Sequence, residues 1–212
     1  MTLYTYYRSS AAYRVRIALE LKGLSAERVE IDLRRGDQRA AAYLARNPQG
    51  LVPALAAGPE VLIQSLAIIE YLDELVPDPP LLPATPLGRA RVRGLAQVIA
   101  SDIHPLNNLR VLRYLESALG VGENERLRWY RHWIAEGLSA IEQLLATRAE
   151  TGTFCHGDAP TLADICLVPQ VHNARRYACP LDAYPVTCAI DEACRALPAF
   201  QRAHPDAQAA MK

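Results

Sequence analysis

The chain has 212 residues, half of them apolar and 22% charged, a composition ordinary for one large globular domain or two small ones. Its 23 basic residues balance 23 acidic ones, which excludes capture of nucleic acid or of an anionic membrane by overall charge. No apolar run reaches the ~18 residues of a spanning helix. The first residues carry neither the basic nor the apolar region of a secretory signal, so a cytoplasmic protein is expected.

Residues 2–7 (TLYTYY) are rich in β-branched and aromatic types and predict a short buried strand. Ser9 and Ser10 follow as N-cap candidates, and apolar Ala12, Val15, Ala18 and Leu19 predict a helix that Gly23 would end. Val29, Ile31 and Leu33 alternate with charged neighbours, predicting a half-buried strand over 27–33. A helix near 37–46 is stopped by Asn47-Pro48. Two short strands, 53–57 and 60–63, then meet at Gly58-Pro59, and a helix runs from about Gln64 to Pro77. This β-α-β-α-β-β-α order predicts a thioredoxin-like α/β domain over residues 1–80.

Residues 77–86 (PDPPLLPATP) hold five prolines, so a stiff spacer is expected, with the linker proper at 81–86. From Leu87 to residue 212 the pattern predicts an all-α domain. Its first helix runs toward Gly120 with a kink or restart at Pro105, a second covers 124–146, and a third covers 161–178. Thr161 and Asp164 match the capping-box spacing. The five cysteines (Cys155, Cys166, Cys179, Cys188, Cys194) include no C-x-x-C pair and read as reduced core residues, and the five histidines show no metal spacing, so no metal site is expected.

The turn from the first strand into the first helix is where thioredoxin-like redox enzymes place C-x-x-C. Here it reads Arg8-Ser9-Ser10-Ala11, which excludes protein disulfide chemistry at that turn. A pair of hydroxyls at a helix N-terminus either caps the helix or donates to an anion such as a thiolate. In NPQGLVPAL (47–55), a cis bond at Val52–Pro53 would present the Val52 backbone to an extended peptide. In QSLAIIEYL (64–72), Gln64 and Ser65 open a helix whose N-terminus suits a carboxylate. A thiolate at Ser9, a peptide backbone at Val52 and a carboxylate at Gln64 and Ser65 together describe one tripeptide thiol, glutathione.

The chain resembles the zeta class of cytosolic glutathione transferases. SSAAYRVRIAL (9–19) is similar to that class's serine-serine-cysteine…RVRIAL motif, and NPQGLVPAL, QSLAIIEYL and TLADICLVPQVHNARRY (161–177) resemble its other hallmarks. The resemblance implies the architecture of that family, a thioredoxin-like domain followed by an all-α domain, and a homodimer. It also implies a glutathione neighbourhood of Ser9, Ser10, Ala11, Gln38, Val52, Pro53, Gln64, Ser65, His104, Asn108 and Arg110, with Ser9 and Ser10 as the catalytic hydroxyls. Ala11 departs from the class, which has cysteine there.

The activity implied is glutathione-dependent cis–trans isomerisation of a maleyl dicarboxylate, maleylacetoacetate in tyrosine breakdown, with maleylpyruvate as the nearest alternative. A dicarboxylate asks for arginine clamps, and the resemblance assigns Arg8, Arg110 and Arg176 to that task. A general conjugating transferase and a non-catalytic binding module are the other readings. Arg14 and Arg16 are expected on the surface or in interdomain ion pairs, and Arg175 in solvent. His104 is read either as a kink residue or as a ligand contact, with Asn108 one turn further on the same helix face.

Overall fold

The computed structural model describes residues 1–209. Strand β1 (Thr2–Thr5) is shorter than its apolar run, because the Tyr6 carbonyl takes the Ser9 N–H at 2.9 Å and turns the chain out of the ladder. Helix α1 (Ser10–Leu21) follows, then β2 (Glu27–Glu30), a 3₁₀ turn at Asp37–Arg39, α2 (Ala41–Leu44), β3 (Ala54–Ala57), β4 (Glu60–Ile63) and α3 (Ser65–Leu75). The sheet order is β2-β1-β3-β4, with β1 parallel to β2 and antiparallel to β3, and β3 antiparallel to β4. This is the thioredoxin-like arrangement predicted from the element order. The helix expected near 37–46 is instead two short turns separated by Ala40, whose backbone is extended.

Side chains alternate across this sheet as a period of two requires. Leu3 and Leu55 pair in register and are fully buried. Tyr4, Tyr6, Ile31, Tyr43, Val52 and Ala54 build a second apolar cluster, in which the Tyr4 and Tyr43 rings meet edge-on at 5.9 Å. Helix α1 begins with the Ser9 hydroxyl accepting the Ala12 N–H. It ends at Gly23, whose φ of +63° lets the Leu24 N–H reach back to the Leu19 carbonyl at 2.9 Å.

Two compact units divide the chain. The first contains Met1–Leu81 and also the segment that begins at Ala196; the second is Leu82–Arg195. The segment from Ala196 was expected in the helical domain. Its helices α10 (Pro198–Ala203) and α11 (Pro205–Ala209) pack with the first unit, where α1 offers two buried donors to carbonyls of α10. Tyr13 Oη donates to Phe200 O at 3.5 Å and Arg16 Nε to Ala203 O at 3.1 Å. The last residues of that expected domain, 210–212, lie outside the described residues.

The second unit is helical throughout: α4 (Pro86–Gln97), a π-type turn over Val98–Ile103, α5 (His104–Leu106), α6 (Leu109–Ser117), α7 (Glu123–Ala146), α8 (Leu162–Arg176) and α9 (Pro185–Arg195). Pro105 has no N–H for the carbonyl four residues back, and the His104 N–H bonds instead to Ile99 O, five residues back. The long first helix is thereby split. Helix α8 is buried along most of its length and starts from a complete capping box, with Asp164 Oδ2 accepting the Thr161 N–H at 2.7 Å. Among the described residues no helix is long and apolar enough to cross a membrane.

Candidate functional site

In the first unit the segments singled out from sequence are tied together by side-chain hydrogen bonds. Ser9 is the N-cap of α1, and its Oγ accepts the Ala12 N–H at 3.2 Å. A hydroxyl that accepts there keeps its own proton to donate, so capping and anion binding are compatible roles for one side chain. Ser10 is buried in the first turn and Ala11 is half-buried beside it. Arg8, at the end of the turn, is exposed with its guanidinium 5.2 Å from the Tyr7 ring centre.

Arg14 and Arg16 depart from expectation. Both are buried, at 2% and 1% exposure, rather than lying on the surface. Arg16 donates to Thr5 Oγ1 at 3.3 Å, to Tyr6 O at 3.5 Å and to Tyr7 O at 3.1 Å, so it fastens the turn that leads to Ser9. Burial lowers its pKa to about 10, still well above neutral pH. Arg14 Nη1 donates to Ser65 Oγ at 3.3 Å, linking α1 to the start of α3.

Gln64 precedes α3 with φ at +70°, a backbone region rarely occupied outside glycine, and among the described residues no side chain caps that helix. Its Nε2 donates to Gln49 Oε1 at 2.9 Å. Gln49 belongs to the 47–53 loop, and sequence reasoning missed it although it lies inside a quoted motif. The loop is fastened at Leu51, whose carbonyl accepts from Tyr43 Oη at 2.6 Å and Asn47 Nδ2 at 2.8 Å. Burial raises the Tyr43 pKa to about 12. Val52 is buried and the Val52–Pro53 bond is cis. Gln38 is 6% exposed, and its Oε1 has no hydrogen-bond partner among the described residues. A Cβ on Gly50 (φ +62°) would stand 3.0 Å from the Gln38 carbonyl oxygen, so the loop and the 3₁₀ turn touch through backbone.

In the second unit, His104 opens α5 and is half-buried. Asn108 does not continue that helix on a shared face. Asn107 breaks it at φ −103°, and Asn108 becomes the N-cap of α6, its Oδ1 accepting the Arg110 N–H at 3.1 Å. Arg110 is exposed in the first turn of α6. Arg176 ends α8 and is exposed, its guanidinium 5.4 Å from the Tyr177 ring centre. The Tyr177 ring stacks on Tyr130 at 3.7 Å. Arg175 is not simply solvated: its Nη1 lies 2.6 Å from Oδ2 of the fully buried Asp191. Burial pushes the Cys155, Cys179, Cys188 and Cys194 thiols up, which disfavours their thiolate forms.

Residues 3–80 match the family model "Glutathione S-transferase, N-terminal domain", and residues 128–204 match "Glutathione S-transferase, C-terminal domain". The chain is 54% identical to the maleylacetoacetate isomerase of Rhizobium meliloti over 204 residues, covering 96% of this chain and 95% of that one. It is 49% identical to the maleylpyruvate isomerase of a Ralstonia species, covering 98% of each. A crystal structure of maleylacetoacetate isomerase from Methylobacterium extorquens with bound malonate and glutathione superposes with a TM-score of 0.95 at 45% identity, covering 97% of this chain and 96% of that one.

Proposed function

Because the chain belongs to the glutathione S-transferase family, and within it to the zeta class, we propose that it is a glutathione-dependent cis–trans isomerase that converts maleylacetoacetate to fumarylacetoacetate. The observation that carries the site is the hydrogen-bonded chain within the first unit. Arg14 joins α1, which Ser9 caps, to Ser65, and Gln64 joins α3 to Gln49 in the loop before Val52. These bonds support reading three segments distant in sequence as one binding surface.

The residues present fit a tripeptide thiol. At one place stands a half-buried hydroxyl, Ser9, with its acceptor role filled and its proton available. The N–H groups opening α3 and the Ser65 hydroxyl suit a carboxylate. Gln38 Oε1 is a buried acceptor without a hydrogen-bond partner among the described residues, as an N–H of a peptide ligand would require. Bound glutathione supplies a thiolate that adds reversibly to the activated alkene, so that the former double bond turns before elimination.

The chain's own work is electrostatic. Ser9 Oγ, aided by the positive end of α1, donates to the sulfur and favours thiolate over thiol. Ser10 is the second hydroxyl at that helix end, and Ala11 brings no protein sulfur beside it. Val52, placed before Pro53, offers backbone groups to the peptide, with Gln64 and Ser65 at its carboxylate. Arg8, Arg110 and Arg176 are the cations for the substrate's carboxylates and for charge developing on its enol oxygen. Arg8 and Arg176 are held only by ring contacts in the described structure, which leaves their forks for an anion. The zeta-class resemblance assigns His104, Asn108 and Arg110 to glutathione as well.

In this reading residues 1–80 are the thioredoxin-like domain that carries most of the glutathione contacts, 81–86 are the spacer, and the helical domain beyond carries Arg110 and Arg176 for the dicarboxylate. The protein acts as a cytoplasmic homodimer. Maleylpyruvate is the alternative substrate, favoured by the 49% identity to a maleylpyruvate isomerase over nearly the whole chain. Loss of maleylacetone absorbance, with and without glutathione, tests the activity. Fast, strictly glutathione-dependent turnover is expected, and repeating the assay with maleylpyruvate ranks the two substrates. Glutathione binding without turnover of either would reject isomerisation in favour of conjugation or a binding role.

A further inference from the structure

We propose that Arg14 is a positioning residue for the cofactor: by donating to Ser65 Oγ it orients the Ser65 hydroxyl proton toward the carboxylate at the start of α3. The geometry is a hydrogen bond of 3.3 Å between Arg14 Nη1 and Ser65 Oγ, with both residues buried, at 2% and 6% exposure. A guanidinium has donors and no acceptor, so in this bond the serine oxygen can only accept. Its O–H is therefore directed away from Arg14. Left alone, a serine in the first turn of a helix can rotate to bond to backbone nearby, competing with the ligand. The buried guanidinium fills a lone pair and polarises the hydroxyl, making it a better donor to an anion.

The placement within α1 adds to this. The same helix carries Ser9 at its N-cap and Arg14 within its second turn. One rigid element therefore sets the donor for the thiol end directly and the donor for the carboxylate end through Arg14. Gln64, immediately before Ser65, is held from the other side by Gln49. The two residues that open α3 are thus oriented by partners from different segments. The inference rests on the assignment of Gln64 and Ser65 to a glutathione carboxylate.

The test is a double-variant cycle, Arg14→Met, Ser65→Ala and the pair, read by calorimetric Kd for glutathione and by KM and kcat with maleylacetone. Each single variant is expected to weaken glutathione about tenfold, as loss of one charge-assisted hydrogen bond would. The pair should also lose about tenfold, because both changes remove the same interaction. In Arg14→Met the loss should fall on glutathione affinity far more than on kcat at saturating glutathione, a split that general loosening of the fold would not produce. If Ser65→Ala weakens binding and Arg14→Met does not, or if the pair loses about a hundredfold, Arg14 does not act through Ser65 and the proposal falls while the carboxylate site stands. If Ser65→Ala leaves Kd unchanged, the carboxylate assignment itself is wrong. Should Arg14→Met fail to fold, Arg14→Lys carries the comparison. It keeps a buried cation but loses the planar fork, and a loss of about threefold confined to glutathione is expected; no loss overturns the proposal.

Discussion

Arg16 Nη2 donates to the Tyr7 carbonyl at 3.1 Å while Arg16 Nε donates to the Ala203 carbonyl at 3.1 Å. One side chain thus holds the turn before Ser9 and the helix α10 near the other end of the chain. Its partners are carbonyls and one hydroxyl, Thr5 Oγ1, arranged around a charge that burial has stripped of water. Such a site is costly to create and costlier to break, since removing the cation leaves several carbonyls to find new donors.

Arg16→Met is therefore expected to lower stability by about 3 kcal/mol or more, measured by urea denaturation. Arg16→Lys should recover part of that loss, because an ammonium cannot serve carbonyls spread along a guanidinium fork. A change below about 0.5 kcal/mol for Arg16→Met would mean the carbonyls are satisfied by water, and that the turn before Ser9 is held by other contacts.

Arg16 and its neighbour on α1, Arg14, show where sequence reasoning stops. The β-α-β-α-β-β-α order was legible because alternation and helical spacing are local, and Ser9 was legible as a cap because caps sit next to what they cap. Arg14 and Arg16 were misplaced because Ser65, the Arg14 partner, lies 51 residues away, and of the Arg16 partners Ala203 lies 187 residues away while Thr5, Tyr6 and Tyr7 come within reach only once the chain turns before Ser9. No charge pattern announces a guanidinium such as that of Arg16, which is met by carbonyls and a hydroxyl. Asn108 was misread for the opposite reason. Its neighbour Asn107 ends α5, and an i, i+4 pairing drawn through a helix break has no meaning. Gln49 lay inside a motif already singled out, but its bond to Gln64 depends on how the 47–53 loop folds, and that is set by Tyr43 and Asn47 gripping Leu51.

Tyr43 supplies a pH dependence. An unfolded tyrosine ionises near pH 10, while the buried Tyr43 holds its proton to about pH 12. Between those values the folded state keeps a proton that the unfolded state has lost, so stability falls as pH rises. The full loss is roughly 2–3 kcal/mol. Tyr43→Phe should cost about 1 kcal/mol at pH 7, from the bond to Leu51, and above pH 10 that deficit should close and then reverse, because the variant lacks the group whose titration weakens the parent. Equal alkaline slopes for the two proteins would show that Tyr43 is not the group responsible.

Ser9→Ala separates the two roles of one hydroxyl. Loss of the N-cap is expected to cost about 1 kcal/mol in thermal or urea unfolding without ligand. Loss of the donor to sulfur should lower kcat for maleylacetone by about tenfold to a hundredfold and shift the glutathione thiol to a higher pKa, read by thiolate absorbance. A variant with the stability loss but unchanged kcat would transfer the catalytic role to Ser10.

Arg175 and Arg176 are neighbours at the end of α8 and should answer opposite assays. Arg175 neutralises the buried Asp191, with Arg195 further off at 3.8 Å. Arg175→Ala leaves that carboxylate with the weaker partner, so a loss of about 2 kcal/mol of stability is expected, at the lower end for a broken buried pair because Arg195 remains. Burial already pushes the Asp191 pKa up, and losing Arg175 pushes it further. Its folded form then resists ionising, so the variant's deficit should grow as pH rises above the ordinary carboxylate range and shrink toward pH 4. Arg176 is exposed and touches only the Tyr177 ring among the described contacts. Arg176→Ala should leave stability within about 0.5 kcal/mol of the parent. It should raise KM for the dicarboxylate about tenfold or more while glutathione affinity holds. Equal losses for both ligands would reassign Arg176 to the scaffold, and a stability loss matching that of Arg175 would mean the α8 end acts as one structural unit.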